Sequence, residues 1–196
     1  METGRIRNML VTAMLSAVAF ILMFLDFSIP SLIPDFIRMD VSELPALIAA
    51  FSLGPVYGVA VCLIKNLLHL LITTTGGVGE LSNFLLGAVF VLVAGSIYKR
   101  NKSQKSALIG SLLGAAAMAV FSVISNYYLI YPAYSRVIPE WMILIAYRLI
   151  NLSIENLLQC SICFNMPFTF VKGLISVVLT FLVYKPLSPI WKGAAR

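Results

Sequence analysis

Apolar residues in this chain come in long runs broken by brief polar punctuation, without the strict alternation of a half-exposed sheet. A helix needs about 20 apolar residues to cross the hydrocarbon core of a bilayer. On that measure the pattern predicts spanning helices over residues 8–27, 56–73, 81–98, 107–131 and 167–184. It also predicts a short helix over 45–53 that begins a little earlier, near 41. Gly54-Pro55 breaks the short helix, and the run Gly76-Gly77-Val78-Gly79 ends the one after it, since glycine frees the backbone and proline removes a donor. The stretch 141–164 is apolar enough for a seventh span. It carries Arg148, Asn151, Glu155, Asn156 and Gln159, each costly at a bilayer centre. The expectation is an outer segment, partly helical, lying on or dipping into the membrane surface.

Composition turns this pattern into a fold class. Hydrophobic residues make up 60% of the 196 and charged residues 11%, against about 45–50% and about 25% in soluble domains. Too few charges remain to solvate a globular surface, so residues 1–196 read as one transmembrane domain. The net charge of +6 is not gathered on one solvated face, so the expected surface partner is the lipid bilayer and no nucleic acid. Arg5 and Arg7 precede the first span, Lys99, Arg100, Lys102 and Lys105 fill the loop between the fourth and fifth, and Lys185, Lys192 and Arg196 follow the sixth. Six spans place all three clusters on one side, the cytoplasm by the positive-inside rule. The fold class is therefore all-α integral membrane, with six transmembrane helices and both termini cytoplasmic. A seventh span would throw the basic C-terminus outside. Ala17-Val18-Ala19 resembles a signal cleavage site, but the apolar run continues past it, as in a retained anchor.

Polar residues inside such a protein are the informative exceptions. Asn165, Thr169, Lys172 and Ser176 share one face of the last span. Ser122 and Asn126 lie one turn apart on the fifth, and Asn83 and Gly87 on the fourth, all toward the outer end. These groups either hydrogen-bond neighbouring helices or line a pocket. A lysine as deep as Lys172 needs a ligand or a partner such as Asp40 or Glu43. The loop 28–44 holds Pro30 and Pro34, with Phe36, Ile37 and Met39 among its charges. That composition suits a structured binding loop or lid. Lys65, Asn66 and His69 form a further polar patch open to packing, cavity or coupling roles. Ala13 and Ala17 let another helix approach closely, within this chain or from a partner. Cys62, Cys160 and Cys163 read as packing cysteines. Cys160 and Cys163 make a single C-x-x-C without a second pair or a nearby histidine, so no metal site is expected.

The chain carries no G-x-x-x-x-G-K-[ST] phosphate loop, no paired-histidine metal motif and no G-x-S-x-G. A small membrane protein with a lidded polar pocket and no means of hydrolysing ATP suggests a binding subunit, not an enzyme. A small membrane enzyme or channel using Lys65 and His69 is the alternative of another class.

In the order and spacing of several motifs the sequence resembles the substrate-binding S components of energy-coupling-factor (ECF) transporters, and among them the riboflavin-specific members. The motifs are Ala13-x-x-x-Ala17, Met39-Asp40-Val41-Ser42-Glu43-Leu44-Pro45, Gly54-Pro55 and Leu63-Ile64-Lys65-Asn66-Leu67-Leu68. They continue with Asn83-Phe84-Leu85-Leu86-Gly87, Asn126-Tyr127-Tyr128, Pro132-Ala133-Tyr134 and Pro167-Phe168-Thr169-Phe170-Val171-Lys172-Gly173. The resemblance covers nearly the whole chain. It implies a six-helix protein of the cell membrane that captures one vitamin near the outer surface, with the first loop as gate. It implies a transmembrane coupling subunit and two ATPase subunits as partners, with Ala13 and Ala17 at the contact. Riboflavin would be the transported ligand and not a cofactor. Asn126 and Lys172 match the family's polar contacts to the flavin and ribityl groups. Thr169 departs from the asparagine of some relatives, and a hydroxyl has one donor where an amide has two. Asp40 and Asn83 complete the expected polar contacts, with Phe84, Met39 and Tyr134 against the ring faces. An S component for another vitamin, thiamine or pantothenate, is the alternative within the family.

Overall fold

The computed structural model describes residues 2–193 apart from 31, 35, 36 and 137, and for 2, 3 and 184–193 the backbone alone. Asp35 and Phe36 of the first loop, Arg196, and the side chains of Tyr184, Lys185 and Lys192 lie outside the described residues.

Lipid offers the backbone no hydrogen-bond partner, so apolar runs fold as helices that satisfy themselves. The helices are α1 (Glu2–Met23), α2 (Glu43–Ser52), α3 (Pro55–His69), α4 (Val78–Arg100), α5 (Gln104–Ser125), α6 (Tyr131–Tyr134), α7 (Glu140–Arg148), α8 (Leu157–Cys160) and α9 (Met166–Gly193). No strand forms among the described residues; one isolated antiparallel bridge joins Phe27 to Met39. Five helical stretches are long and apolar enough to cross a membrane: Gly4–Met23, Pro55–Ile72, Val78–Arg100, Gln104–Tyr134 and Leu157–Val183. The expected short helix is α2, of 10 residues, and it is not of spanning length.

The first helix ends at Met23, four residues short of the expected 27. Two later boundaries differ for another reason. The fifth run continues to Tyr134 instead of ending at Tyr131, and the last helical stretch begins at Leu157 instead of Pro167. The final part of the segment 141–164 thus belongs to the last long helix. Both differences have one cause. A proline inside a helix lacks a donor, and its ring presses on the carbonyl four residues earlier. Pro132 and Pro167 each sit just beyond a π-helical turn, Asn126–Ile130 and Ser161–Asn165 respectively. The wider turn accommodates the ring, so the helix runs through the proline.

Chain direction alternates along the bundle. The C-terminal ends of α1, α3 and α5 and the N-terminal ends of α2, α4 and α9 gather at one end, around a cavity. At the other end Phe51 of α2 packs against Tyr98 of α4, with ring centroids 5.0 Å apart, and Asn8 of α1 reaches the Tyr57 hydroxyl of α3. The basic loop after α4 lies at this second end.

Helix α2 fills the middle of the bundle. Its Ala46, Leu47, Ala49 and Ala50 join Val61, Phe90, Val91, Ala94, Ala115, Met118 and Val177 in the main core. Backbones come close where glycine permits. A Cβ at Gly114 would lie 2.8 Å from the Phe90 carbonyl oxygen, and one at Gly173 would lie 2.7 Å from the Ala115 Cβ. A second core at the cavity end joins Val78, Ile130, Tyr131, Tyr134, Ile143, Tyr147, Ile154 and Cys160. It seats α7 on the bundle. Leu10, Met14, Leu67, Leu113 and Val120 are exposed, a surface that suits acyl chains and not water.

Candidate functional site

The site begins with Asp40 and Glu43, at the end of the first loop and the start of α2. Asp40 Oδ1 accepts from the backbone N–H of Ser42 at 2.9 Å and from its hydroxyl at 2.5 Å. Such a side chain-to-backbone turn is a common use of aspartate. It points Asp40 Oδ2 away from its own loop, toward α9 and α4. There Lys172 Nζ of α9 donates to it at 2.8 Å and Asn83 Nδ2 of α4 at 3.1 Å. Glu43 Oε1 lies 3.4 Å from Lys172 Nζ and 3.3 Å from Lys65 Nζ of α3. Lys65 also donates to the Ser42 hydroxyl. Asn66 Nδ2 donates to Asn83 Oδ1 at 3.3 Å. Two carboxylates and two ammoniums, all buried or nearly so, therefore form one cluster in which each cation offsets an anion.

This pairing explains how so much charge survives in an apolar protein, because buried charges persist only when paired and hydrogen-bonded. Burial alone would push the Asp40 carboxyl up. The ammoniums of Lys172 and Lys65 outweigh that and hold it below the usual carboxylate range. Among the described residues, Glu43 Oε2 and Asn66 Oδ1 are buried without a hydrogen-bond partner, so the cluster retains unused acceptors.

Above the cluster opens a cavity of about 340 Å³, within the class of small-molecule sites. Of the residues expected from sequence, Asp40, Asn83, Asn126, Tyr134, Thr169 and Lys172 line it together. They come from the first loop and from three helical stretches. Phe84 does not line it; it packs against the main core. Met39 is buried in the bridge with Phe27 and is not among the lining residues either. Adjacent residues project about 100° apart on a helix and to opposite faces of an extended strand. Phe84 turns from Asn83 toward the core, and Met39 turns from Asp40 into the bridge with Phe27.

Several lining residues were not singled out as contacts from sequence. Glu43 and His69 line the wall, as do Met118, Ile130, Tyr131 and Asn165. His69 Nδ1 lies 2.8 Å from Glu80 Oε1, and the other oxygen of Glu80 accepts from Thr73 and Thr75. That set ties the α3–α4 turn to the start of α4. Lys65 sits beneath the cavity as the countercharge of Glu43, a packing role that its place on an apolar helix left open. Asn165, one turn before Thr169, lies on the same polar stripe as Lys172 that the helical spacing shows.

The first loop does pack down. Phe27 and Met39 exchange backbone hydrogen bonds of 2.9 Å, Arg38 pairs with Asp26 at 2.9 Å, and Ile33 and Pro34 are buried. Asp26, Ile37 and Arg38 reach the cavity rim. Ala13 and Ala17 lie exposed on one face of α1, from the middle of the helix toward its cavity end. Cys62 and Cys160 are buried and Cys163 is exposed, all as free thiols.

Known proteins share this sequence and fold. The chain is 34% identical over 182 residues to the riboflavin transporter RibU of Staphylococcus aureus (strain TCH60), covering 93% of this chain and 90% of that one. It is 35% identical over 188 residues to the riboflavin transporter FmnP of Bacillus subtilis (strain 168), covering 94% of each. A solved structure of the S component of a bacterial ECF transporter superposes with a TM-score of 0.76 at 33% identity, over 96% of this chain and 99% of that one. The family model for the substrate-specific component of ECF transporters matches residues 7–184. The chain belongs to the substrate-specific components of ECF transporters.

Proposed function

We propose that this protein is the riboflavin-capturing S component of an ECF transporter and serves uptake of the vitamin across the cell membrane without catalysing a reaction. The observation that carries the reading is the convergence of Asp40, Asn83, Asn126, Thr169 and Lys172 on one cavity in a chain about one-third identical to riboflavin transporters along almost its whole length. A flavin ring presents carbonyl and ring-nitrogen acceptors with one N–H donor, and its ribityl chain presents hydroxyls. The ammonium and amides can donate to the acceptors, while Asp40 and Glu43 can accept from hydroxyls. Met118, Ile130 and Phe168 supply apolar surface for the ring.

Orientation follows from the helix directions. The cavity lies at the end of the bundle opposite Lys99, Arg100, Lys102 and Lys105. The positive-inside rule places those residues in the cytoplasm and so opens the cavity outward. Helix α2, although short, reverses the chain between α1 and α3, which gives six passes with both termini cytoplasmic. Capture then occurs from outside, and the first loop, pinned by Asp26–Arg38, acts as gate. Movement inward requires a transmembrane coupling subunit with two ATPase subunits, for which Ala13 and Ala17 form the contact face.

The test is direct. Purified protein is expected to be yellow, to release riboflavin identifiable by mass spectrometry, and to quench riboflavin fluorescence when refilled. A colourless protein that leaves added riboflavin fluorescent refutes the ligand assignment. Ala13→Trp with Ala17→Trp is expected to spare quenching while abolishing riboflavin uptake by cells expressing the energising subunits.

A further inference from the structure

Next to the ionic cluster, the second core encloses a closed circuit of three hydrogen bonds. Asn165 Nδ2 donates to the Tyr131 hydroxyl at 2.8 Å. Tyr131 donates to the Tyr147 hydroxyl at 3.1 Å. Tyr147 donates to Asn165 Oδ1 at 2.8 Å. All three residues are buried. Asn165 and Tyr131 line the cavity, but Tyr147 does not. It comes from α7, in the segment between the two π-turns, and it reaches the circuit from behind.

We infer that Tyr147 is a positioning residue for the flavin site, fixing through its hydroxyl which face of the Asn165 amide is presented to the ligand. This rests on the riboflavin reading above. An amide has a donor end and an acceptor end of almost the same shape, and only its partners decide which points where. Here the circuit runs in one direction. The Tyr147 hydrogen marks Oδ1 as acceptor, and the Tyr131 oxygen takes one hydrogen of Nδ2. The second N–H of Asn165 is left for the cavity, suited to a carbonyl or ring nitrogen of the flavin. Without the Tyr147 hydroxyl, Oδ1 loses this donor and Tyr131 loses this acceptor. The amide can then turn over and present oxygen to an acceptor.

The backbone makes the circuit local to the site. Tyr131 directly follows the π-turn Asn126–Ile130, and Asn165 ends the π-turn Ser161–Asn165. Such turns are irregularities that recur at functional sites. The Tyr131, Tyr147 and Phe164 rings pack around the circuit, with centroids 6.5 Å and 5.4 Å from one to the next. This packing keeps the Tyr147 ring in place if only its oxygen is removed.

The experiment measures riboflavin affinity by fluorescence quenching in full-length detergent-purified protein. The variants are Tyr147→Phe, Asn165→Ala, the double variant, and Ile143→Val, which loosens α7 without touching the circuit. Tyr147→Phe is expected to weaken binding roughly five- to tenfold, the scale of one hydrogen bond, and to alter the fine structure of the bound-flavin absorption band. The double variant is expected to bind as Asn165→Ala does, because the two residues act through one group. Ile143→Val is expected to stay within about twofold of the parent. Unchanged affinity in Tyr147→Phe overturns the inference. So do losses that multiply in the double variant, or an equal loss in Ile143→Val, since each marks a merely structural role. If the parent chain does not quench riboflavin at all, the ligand assignment falls first and takes the inference with it.

Discussion

Replacing Lys65 by methionine removes one charge from the buried cluster and keeps the length and most of the apolar volume of the side chain. Lys65 is fully buried, with Nζ 3.3 Å from Glu43 Oε1 and hydrogen-bonded to Ser42. Its loss leaves Asp40 and Glu43 with Lys172 alone, so the cluster passes from neutral to one net negative charge. Breaking a buried pair by removing one partner costs about 3–5 kcal/mol. Lys172 already stands 3.4 Å from Glu43 and can share itself, which points to the lower end, about 3 kcal/mol. The assay is equilibrium unfolding in mixed micelles followed by circular dichroism. The decisive comparison is the double variant Glu43→Gln with Lys65→Met, in which charge balance returns. It is expected to recover about 1–3 kcal/mol relative to the sum of the single changes. Lys65→Met as stable as the parent, or a double variant no better than the sum, would refute the account of Lys65 as a structural countercharge.

Three further outcomes follow from the same geometry. Lys172→Gln is expected to weaken riboflavin binding more than tenfold, since a hydrogen bond from a charged group contributes about 1.5–3 kcal/mol; a titration by fluorescence quenching checks it. Gly114→Leu is expected to destabilise the bundle by about 1–3 kcal/mol, read as a lower midpoint in the same unfolding assay, because α4 and α5 must separate to admit the side chain. The Asp40 carboxyl is held below its ordinary value. It therefore contributes stability that is present above the unfolded-state value of about 3.9 and is lost as pH falls through the lower folded-state value. Riboflavin binding is accordingly expected to hold from about pH 7 down to about pH 5 in a pH-series titration, and a binding loss centred near pH 6 would contradict that assignment.

How much of this was legible in the sequence depends on the range of each signal. The five long apolar stretches were plain, because lipid imposes one backbone solution on any apolar run. Boundaries at Pro132 and Pro167 were not, because the compensating π-turns leave no mark in the residue pattern. The polar face of Asn165, Thr169 and Lys172 was visible from helical spacing alone. Its partner was only one option among others, since Asp40 lies 132 positions away and Glu43 was an equal candidate on charge. The structure uses both. Phe84, expected against the ring faces, packs against the main core, a choice of helix face set by tertiary packing. The role of α7 was hidden for a different reason: Arg148 and Asn151 make its surroundings look superficial, while Tyr147 within it is fully buried. A tyrosine in an apolar helix gives no hint that its hydroxyl closes a circuit with two others.

The balance of the buried cluster has an electrical consequence. Asp40 and Glu43 cancel Lys65 and Lys172, and riboflavin is uncharged at neutral pH. The occupied site therefore carries no net charge from these groups. A membrane potential does work of about 2.3 kcal/mol per elementary charge per 100 mV, and the four clustered groups with their uncharged ligand contribute none of it. Capture of the vitamin by this cluster therefore adds no voltage dependence of its own.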